Sequence, residues 1–135
     1  MNKKYFTTLT YQVLGACIEV HKGIGPGLLE NVYQKCLAYE FSITGLSFHS
    51  AFIVPVTYKD YEIDTALQCD FLIEDSVVLE IKAVKELLPV HEAQLLTYMK
   101  LLQKPKGIIV NFNCVNLFKE GQKTYVNEFY RNLPD

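Results

Sequence analysis

The chain has 135 residues, of which 50% are hydrophobic and 21% are charged, and its formal net charge is −2. This composition is typical of a globular protein and excludes a disordered chain, and the length suits one domain spanning residues 1–135. An acidic balance excludes a global positive field, so nucleic-acid binding would depend on a local patch or a metal ion. No segment has the apolar length of a signal peptide or membrane span, and the four cysteines form no CxxC pair. We therefore expect a cytoplasmic protein with reduced thiols and no membrane contact.

Two helices are predicted at the start of the chain. Apolar residues recur at helical spacing over residues 8–21, with a threonine as the cap. Glycines and a proline at 22–27 end this helix, and a second is predicted over 28–42. Glu30 lies in the first turn of this helix. A local role at the helix start and a role in a functional site are equally open for its carboxylate. Glutamate is favoured at N3 near the positive end of the helix dipole, but the predicted cap, Gly27, has no hydroxyl to complete a capping box.

Strands follow. Residues 48–58 predict one strand, in which Pro55 indicates an edge position or a bulge. Another strand begins near Tyr61 and leads into a hairpin at 69–82, whose two apolar runs flank a polar patch at 74–76. A three-residue loop there places six apolar side chains on one face, because strand side chains alternate. In facing pairs, these are Ile73 and Val77, Phe71 and Leu79, and Cys69 and Ile81.

The other face of this hairpin carries Gln68, Asp70, Glu80 and Lys82, with Asp70 directly opposite Glu80. Neighbouring carboxylates repel each other unless something holds them together. A divalent cation would do so, and hard oxygen ligands suit Mg²⁺ or Mn²⁺. The alternative is a charged, solvent-facing surface in which Lys82 pairs with Glu80, and spacing alone favours this alternative.

After the hairpin, a third helix is predicted over residues 90–102, with Gln94 and Tyr98 on the same side because they stand four residues apart. The apolar run at 108–112 predicts a strand buried on both faces, in parallel pairing after the helix crossover. Residues 115–118 and 124–129 are weaker strand candidates. The order ααβββαβ(β) indicates an α/β or α+β layered domain.

Two motifs in this order resemble the PD-(D/E)xK nuclease superfamily. Asp70 is followed ten residues later by Glu80-Ile81-Lys82 on the next strand, and then by a helix. On that helix, Gln94 and Tyr98 resemble the QxxxY motif of the exonuclease branch of the superfamily. One departure is that Cys69, rather than proline, precedes Asp70.

A third motif is similar to the signature of the bacterial GxxExxY protein family, which is assigned to the same superfamily. It is formed by Gly27, Glu30 and Tyr33. The segments around His21 and His91 are also similar to that family, so the resemblance covers residues 8 to 126 or so.

The resemblance implies a restriction-endonuclease-like core, with a mixed central sheet flanked by helices and the site at one sheet edge. It implies that Asp70 and Glu80, with Glu30, bind Mg²⁺ or Mn²⁺, and we expect the three carboxylates to converge on one cation. Lys82 would position or deprotonate the attacking water. Gln94 and Tyr98 would organise substrate and site. The implied partner is nucleic acid, DNA before RNA, and a homodimer or partner protein is also open.

A catalytically inactive nuclease-fold module that binds nucleic acid or protein is the alternative. The acidic net charge and the absence of an obvious basic face favour it. A local basic rim would have to come from scattered lysines, namely Lys82, Lys85, Lys100, Lys104 and Lys106. A small-molecule hydrolase has little support, since no nucleophilic serine or cysteine constellation is present. The histidines are more often structural or surface residues than ligands, and only His91, near the start of the third helix, is a candidate.

Overall fold

A computed structural model describes residues 1–135 of the chain. The helices are α1 (Lys3–Ile24), α2 (Glu30–Thr44), α3 (Pro89–Leu102) and the short α4 (Glu128–Arg131). The strands are β1 (Phe48–Ile53), β2 (Val56–Tyr58), β3 (Tyr61–Ile63), β4 (Gln68–Ile73), β5 (Val77–Lys82), β6 (Lys106–Asn111) and β7 (Gln122–Val126). A π-helical turn, Leu117–Gly121, precedes β7.

The central sheet has five strands in the order β1-β4-β5-β6-β7. Only β5 and β6 pair in parallel, and the other neighbours are antiparallel. The parallel pair is joined by α3, as a crossover connection requires. Strand β6 is buried along its whole length, as its apolar run predicts. The predicted mixed sheet flanked by helices, with a restriction-endonuclease-like arrangement, is therefore confirmed.

Apolar side chains on the two faces of the sheet form two separate clusters. The larger packs α1 and α2 against one face, and the smaller packs α3 against the other. The hairpin register is the predicted one for Ile73 with Val77 and for Phe71 with Leu79, whereas the predicted pairing of Cys69 with Ile81 is not formed. The sheet is thus covered on both sides, and the second hairpin face is not the solvent-facing surface of the alternative interpretation.

Helix starts differ from the prediction. Helix α1 begins before residue 8, because the Asn2 side chain accepts a hydrogen bond of 2.9 Å from the Tyr5 N–H and caps it. Helix α2 begins at Glu30, with Leu29 at the cap position and no side-chain cap. Glu30 therefore occupies the first helical position rather than N3, although it still lies near the positive end of the helix dipole.

The predicted strand at 48–58 is divided in two. Pro55 lies between β1 and β2, and β2 pairs only with β3, in a small separate hairpin. Proline has no N–H for the ladder, which explains the interruption. The candidate strand at 115–118 is also wrong, because Leu117 starts the π-helical turn, whereas the later candidate corresponds to β7. No helix combines the length and hydrophobicity that spanning a bilayer requires.

Candidate active site

The candidate site lies where β4 and β5 stop pairing through their backbones. Regular pairing runs from Ile73 to Phe71 on β4 and does not continue to Asp70. Instead, the Asp70 N–H donates to Glu80 Oε2 at 2.9 Å, and the Ile81 N–H donates to Asp70 Oδ2 at 2.8 Å. Each carboxylate thus bonds the backbone of the opposite strand, which holds the two acids side by side.

Carboxylate bonds take the place of backbone pairing here, and the alternation of side chains along β4 is interrupted at Asp70. Cys69 is fully buried, but in the cluster under α3 with Leu72 and Val78 rather than with Phe71. The prediction that all six apolar residues share one face is therefore wrong for Cys69. Burial raises the pKa of its thiol to about 12, with the charges of Glu80 and Asp70 adding to the effect. Cys69 is a neutral packing residue at neutral pH.

Glu80 is nearly inaccessible, with 4% of its surface exposed. Burial, followed by the negative charge of Asp70, raises the pKa of Glu80 to about 8 despite the opposing charge of Lys82. The Asp70–Glu80 pair therefore holds one proton at neutral pH. Groups with perturbed pKa values gather preferentially at functional sites, so this pair is the candidate site of the chain.

Lys82 lies beside the pair without forming an ion pair. Its side chain is half-buried, two residues from Glu80 on the same strand. The salt bridges of the chain are Lys3–Asp135, Lys104–Asp75 and Lys123–Glu92. The alternative in which Lys82 neutralises Glu80 in a direct pair is therefore wrong, and the ammonium group is left to meet another anion.

Two polar side chains of helix α2 bond the backbone beside the acid pair. The Ala83 N–H, one residue after Lys82, donates to Glu30 Oε2 at 3.3 Å. One turn later, Gln34 Nε2 donates to the Asp70 carbonyl at 3.5 Å. Sequence reasoning did not identify Gln34, although its spacing of four residues from Glu30 places both side chains on one helix face.

The three acids nevertheless do not form one cluster. No group of three or more Asp, Glu, His or Cys side chains is close enough to hold a metal ion. The expected convergence is absent because main-chain N–H groups bind each carboxylate separately: Ala83 binds Glu30, Ile81 binds Asp70 and Asp70 binds Glu80. Asp70 and Glu80 alone fit a hard cation, since they are adjacent oxygen donors whose repulsion a cation would relieve.

Tyr98, but not Gln94, is brought to this pair. Tyr98 is 4% exposed in the cluster under α3. Burial raises the pKa of its hydroxyl, and the charges of Glu80, Cys69 and Asp70 raise it further. Gln94 lies one turn earlier on α3 and is exposed, and its side chain forms no hydrogen bond within the chain.

Residues 7–124 match the family model described as the PD-(D/E)XK nuclease superfamily. The chain belongs to the PD-(D/E)XK nuclease superfamily. No curated protein and no solved structure matches it. The matched range includes β4, which carries Asp70, and β5, which carries Glu80 and Lys82.

In this superfamily member, Asn111 fixes the end of β5, the strand that carries Lys82. Sequence reasoning did not identify this residue. Asn111 is 6% exposed and pairs in register with Lys82. Its Oδ1 accepts from the Val84 N–H at 3.0 Å, and its Nδ2 donates to the Val84 carbonyl at 2.9 Å. The available indication was a polar residue within the apolar run of β6. Asn111 fixes the backbone just beyond Lys82.

Two of the five lysines that could have formed a local basic rim, Lys104 and Lys106, lie away from the site. Lys104 pairs with Asp75 in the turn between β4 and β5, and Lys106 pairs in register with Val77. Both therefore lie at the opposite end of β5 from Lys82, and Lys106 is buried. His91 has a structural contact, because its Nδ1 accepts a hydrogen bond of 3.0 Å from the Leu88 N–H at the start of α3.

Proposed function

We propose that residues 1–135 act as one divalent-metal-dependent nuclease domain that hydrolyses phosphodiester bonds in nucleic acid, with DNA as the first substrate to test. The observation that supports this most directly is the Asp70–Glu80 pair, held by cross-strand hydrogen bonds beside the unpaired ammonium group of Lys82. Membership of the nuclease superfamily supports the same activity.

In this proposal Asp70 and Glu80 hold Mg²⁺ or Mn²⁺, and Glu30 joins them from α2. When bound, such a cation supplies charge neutralisation for the phosphoryl group and lowers the pKa of water. Binding would release the proton that the acid pair holds, because the cation and the proton compete for the same carboxylates. Glu30 would have to exchange its bond to the Ala83 N–H for the cation or share its second oxygen.

Lys82 would act on the water and the phosphate. Its ammonium group has no carboxylate partner, so it can donate hydrogen bonds to a phosphate oxygen and to the attacking water. Holding these groups together removes much of the entropic cost of their encounter. Tyr98 would keep the α3 side of the acid pair dry, and the exposed Gln94 would contact the substrate. The water oxygen bonds to phosphorus as the bond to the leaving oxygen breaks.

Within the superfamily, we assign the chain to the GxxExxY family on the basis of Gly27, Glu30 and Tyr33. The competing function is a catalytically inactive module that binds nucleic acid or protein. The observation that favours it is the separate bonding of the three acids.

Labelled single- and double-stranded DNA and RNA distinguish these functions. We expect cleavage with Mg²⁺ or Mn²⁺ and none with EDTA. Lys82→Ala should lower the rate by about 100-fold or more, the usual contribution of a group that handles the reacting water. Lys85→Ala, which removes an exposed lysine three residues later, is the matched control. Cleavage that is unaffected by Lys82→Ala would overturn the role of Lys82. Nucleic-acid binding without any cleavage would overturn the nuclease proposal.

A further inference from the structure

The loop between α1 and α2 depends on glycine at two positions. Gly25 and Gly27 have φ angles of 70° and 96°, which residues with a Cβ rarely adopt. The Gly25 N–H donates to the His21 carbonyl at 2.8 Å and so ends α1. The chain then turns sharply and starts α2 without a side-chain cap at Leu29. Something other than a cap must therefore fix the first residue of α2, Glu30.

Tyr33 ties this loop together from inside the protein. Its ring is fully buried and stacks on Phe112, with ring centroids 4.4 Å apart and an angle of 12° between the planes. Its hydroxyl donates to the Gly25 carbonyl at 2.6 Å and accepts from the Leu28 N–H at 3.2 Å. One hydroxyl thus links the two sides of the Gly27 turn.

The same arrangement meets the site at a single peptide group. Phe112, on which Tyr33 stacks, donates its N–H to the Lys82 carbonyl at 2.9 Å. The N–H of that same peptide group belongs to Ala83 and donates to Glu30 Oε2. The carbonyl of the Lys82–Ala83 peptide thus accepts from Phe112, on which the Tyr33 ring packs. The N–H of the same peptide donates to Glu30, which lies on the same helix as Tyr33.

We propose that Tyr33 is a positioning residue that holds Glu30 against the end of β5. The three residues of the GxxExxY pattern then act together, because Gly27 permits the turn, Tyr33 fastens it and Glu30 is the group delivered. The contact with Ala83 stands on the geometry alone, whereas the use of Glu30 at a metal ion rests on the proposed function.

Amide hydrogen exchange at Ala83, followed by NMR without any metal, tests the positioning directly. Tyr33→Phe keeps the ring on Phe112 and removes both hydroxyl bonds. We expect the Ala83 amide to exchange about five to ten times faster, the equivalent of one ordinary hydrogen bond. Its chemical shift should also move towards that in Glu30→Ala. Tyr39→Phe, on the exposed side of the same helix, is the matched control and should leave Ala83 unchanged.

A pair of glycine variants gives a second test that keeps Tyr33 intact. Gly27→Ala forces a Cβ onto a φ of 96°, whereas Gly23→Ala adds one at ordinary helical φ, and neither Cβ meets an atom within 4 Å. Only Gly27→Ala should accelerate exchange at Ala83. An Ala83 amide that behaves as in the wild type in both Tyr33→Phe and Gly27→Ala would overturn the positioning role.

Mn²⁺ titration separates this inference from the proposed function. If Glu30 is a ligand, Tyr33→Phe and Glu30→Ala should weaken Mn²⁺ binding by about tenfold, as loss of an orienting group does, and Tyr39→Phe should not. Unchanged Mn²⁺ binding in Glu30→Ala would overturn the ligand role of Glu30, and with it part of the proposed function. The Ala83 measurement would still support Tyr33.

Discussion

The proton held by the Asp70–Glu80 pair makes the stability of the fold depend on pH in an unusual direction. The pKa of Glu80 rises on folding from its ordinary 4.5 to about 8. A carboxyl with a raised pKa binds its proton more tightly in the folded state. Its contribution to stability is therefore complete below pH 4.5 and is lost as the pH rises through 8.

Glu80→Gln removes this titration while keeping the shape of the protonated acid. The Gln amide oxygen can accept from the Asp70 N–H, and its NH₂ can donate to the Asp70 carboxylate. Each pH unit between the two pKa values costs the wild type about 1.4 kcal/mol, so we expect a loss of about 2 kcal/mol between pH 6 and pH 8 relative to the variant.

Urea unfolding in EDTA at pH 5, 6, 7 and 8 measures this difference. The two proteins should have similar free energies of unfolding at pH 5, and Glu80→Gln should be the more stable by a growing margin above pH 6. Glu62→Gln, which neutralises an exposed acid on β3, controls for net charge. A constant difference between wild type and Glu80→Gln from pH 5 to pH 8 would refute the assignment of the buried proton.

Three further predictions concern packing, the site backbone and metal binding. Gly107→Ala would place a Cβ 2.5 Å from Met99 Sδ between β6 and α3. Urea unfolding should show a loss of about 1–3 kcal/mol, whereas Gly15→Ala, with open space around its Cβ, should stabilise α1 by up to about 1 kcal/mol; equal effects would contradict this packing. Asn111→Ala strips both bonds from the Val84 peptide groups and should cost about 1–3 kcal/mol, with faster Val84 amide exchange; a wild-type unfolding midpoint would show that water replaces these bonds. Mn²⁺ should raise the thermal midpoint more at pH 8 than at pH 6, because at pH 6 it must displace the bound proton; equal increments would indicate that the cation binds elsewhere.

The hairpin register could be predicted because its two faces differ in polarity. A shift of one residue would have exchanged the core side chains with the charged ones, so alternation alone fixes the pairing of Phe71 with Leu79. The same alternation placed Glu80 and Lys82 on one face. The strand at 106–111 was equally predictable, because only a strand covered on both sides tolerates so continuous an apolar run.

The features that the sequence did not reveal depend on contacts between distant segments. Cys69 left its predicted face because the Asp70 carboxylate, rather than the backbone, bonds the next strand, and residue type alone does not distinguish those two acceptors. Gln34 and Asn111 act on groups 36 and 27 residues away. No local spacing encodes such pairs. Helix α1 was predicted too short because its cap, Asn2, precedes the first periodic apolar residue.

The alternation along β5 has an evolutionary consequence. Glu80 and Lys82 are interleaved with Leu79 and Ile81, which belong to the main core. In proteins that descend from this one, Glu80 and Lys82 can therefore hardly move to other positions of the strand without disrupting the core. Substitution at these positions should remove the acid or the lysine from the site and leave the fold unchanged. The β2–β3 hairpin is not constrained in this way, because it pairs only with itself and is largely exposed. Related chains should preserve the strand and vary this hairpin in length and sequence.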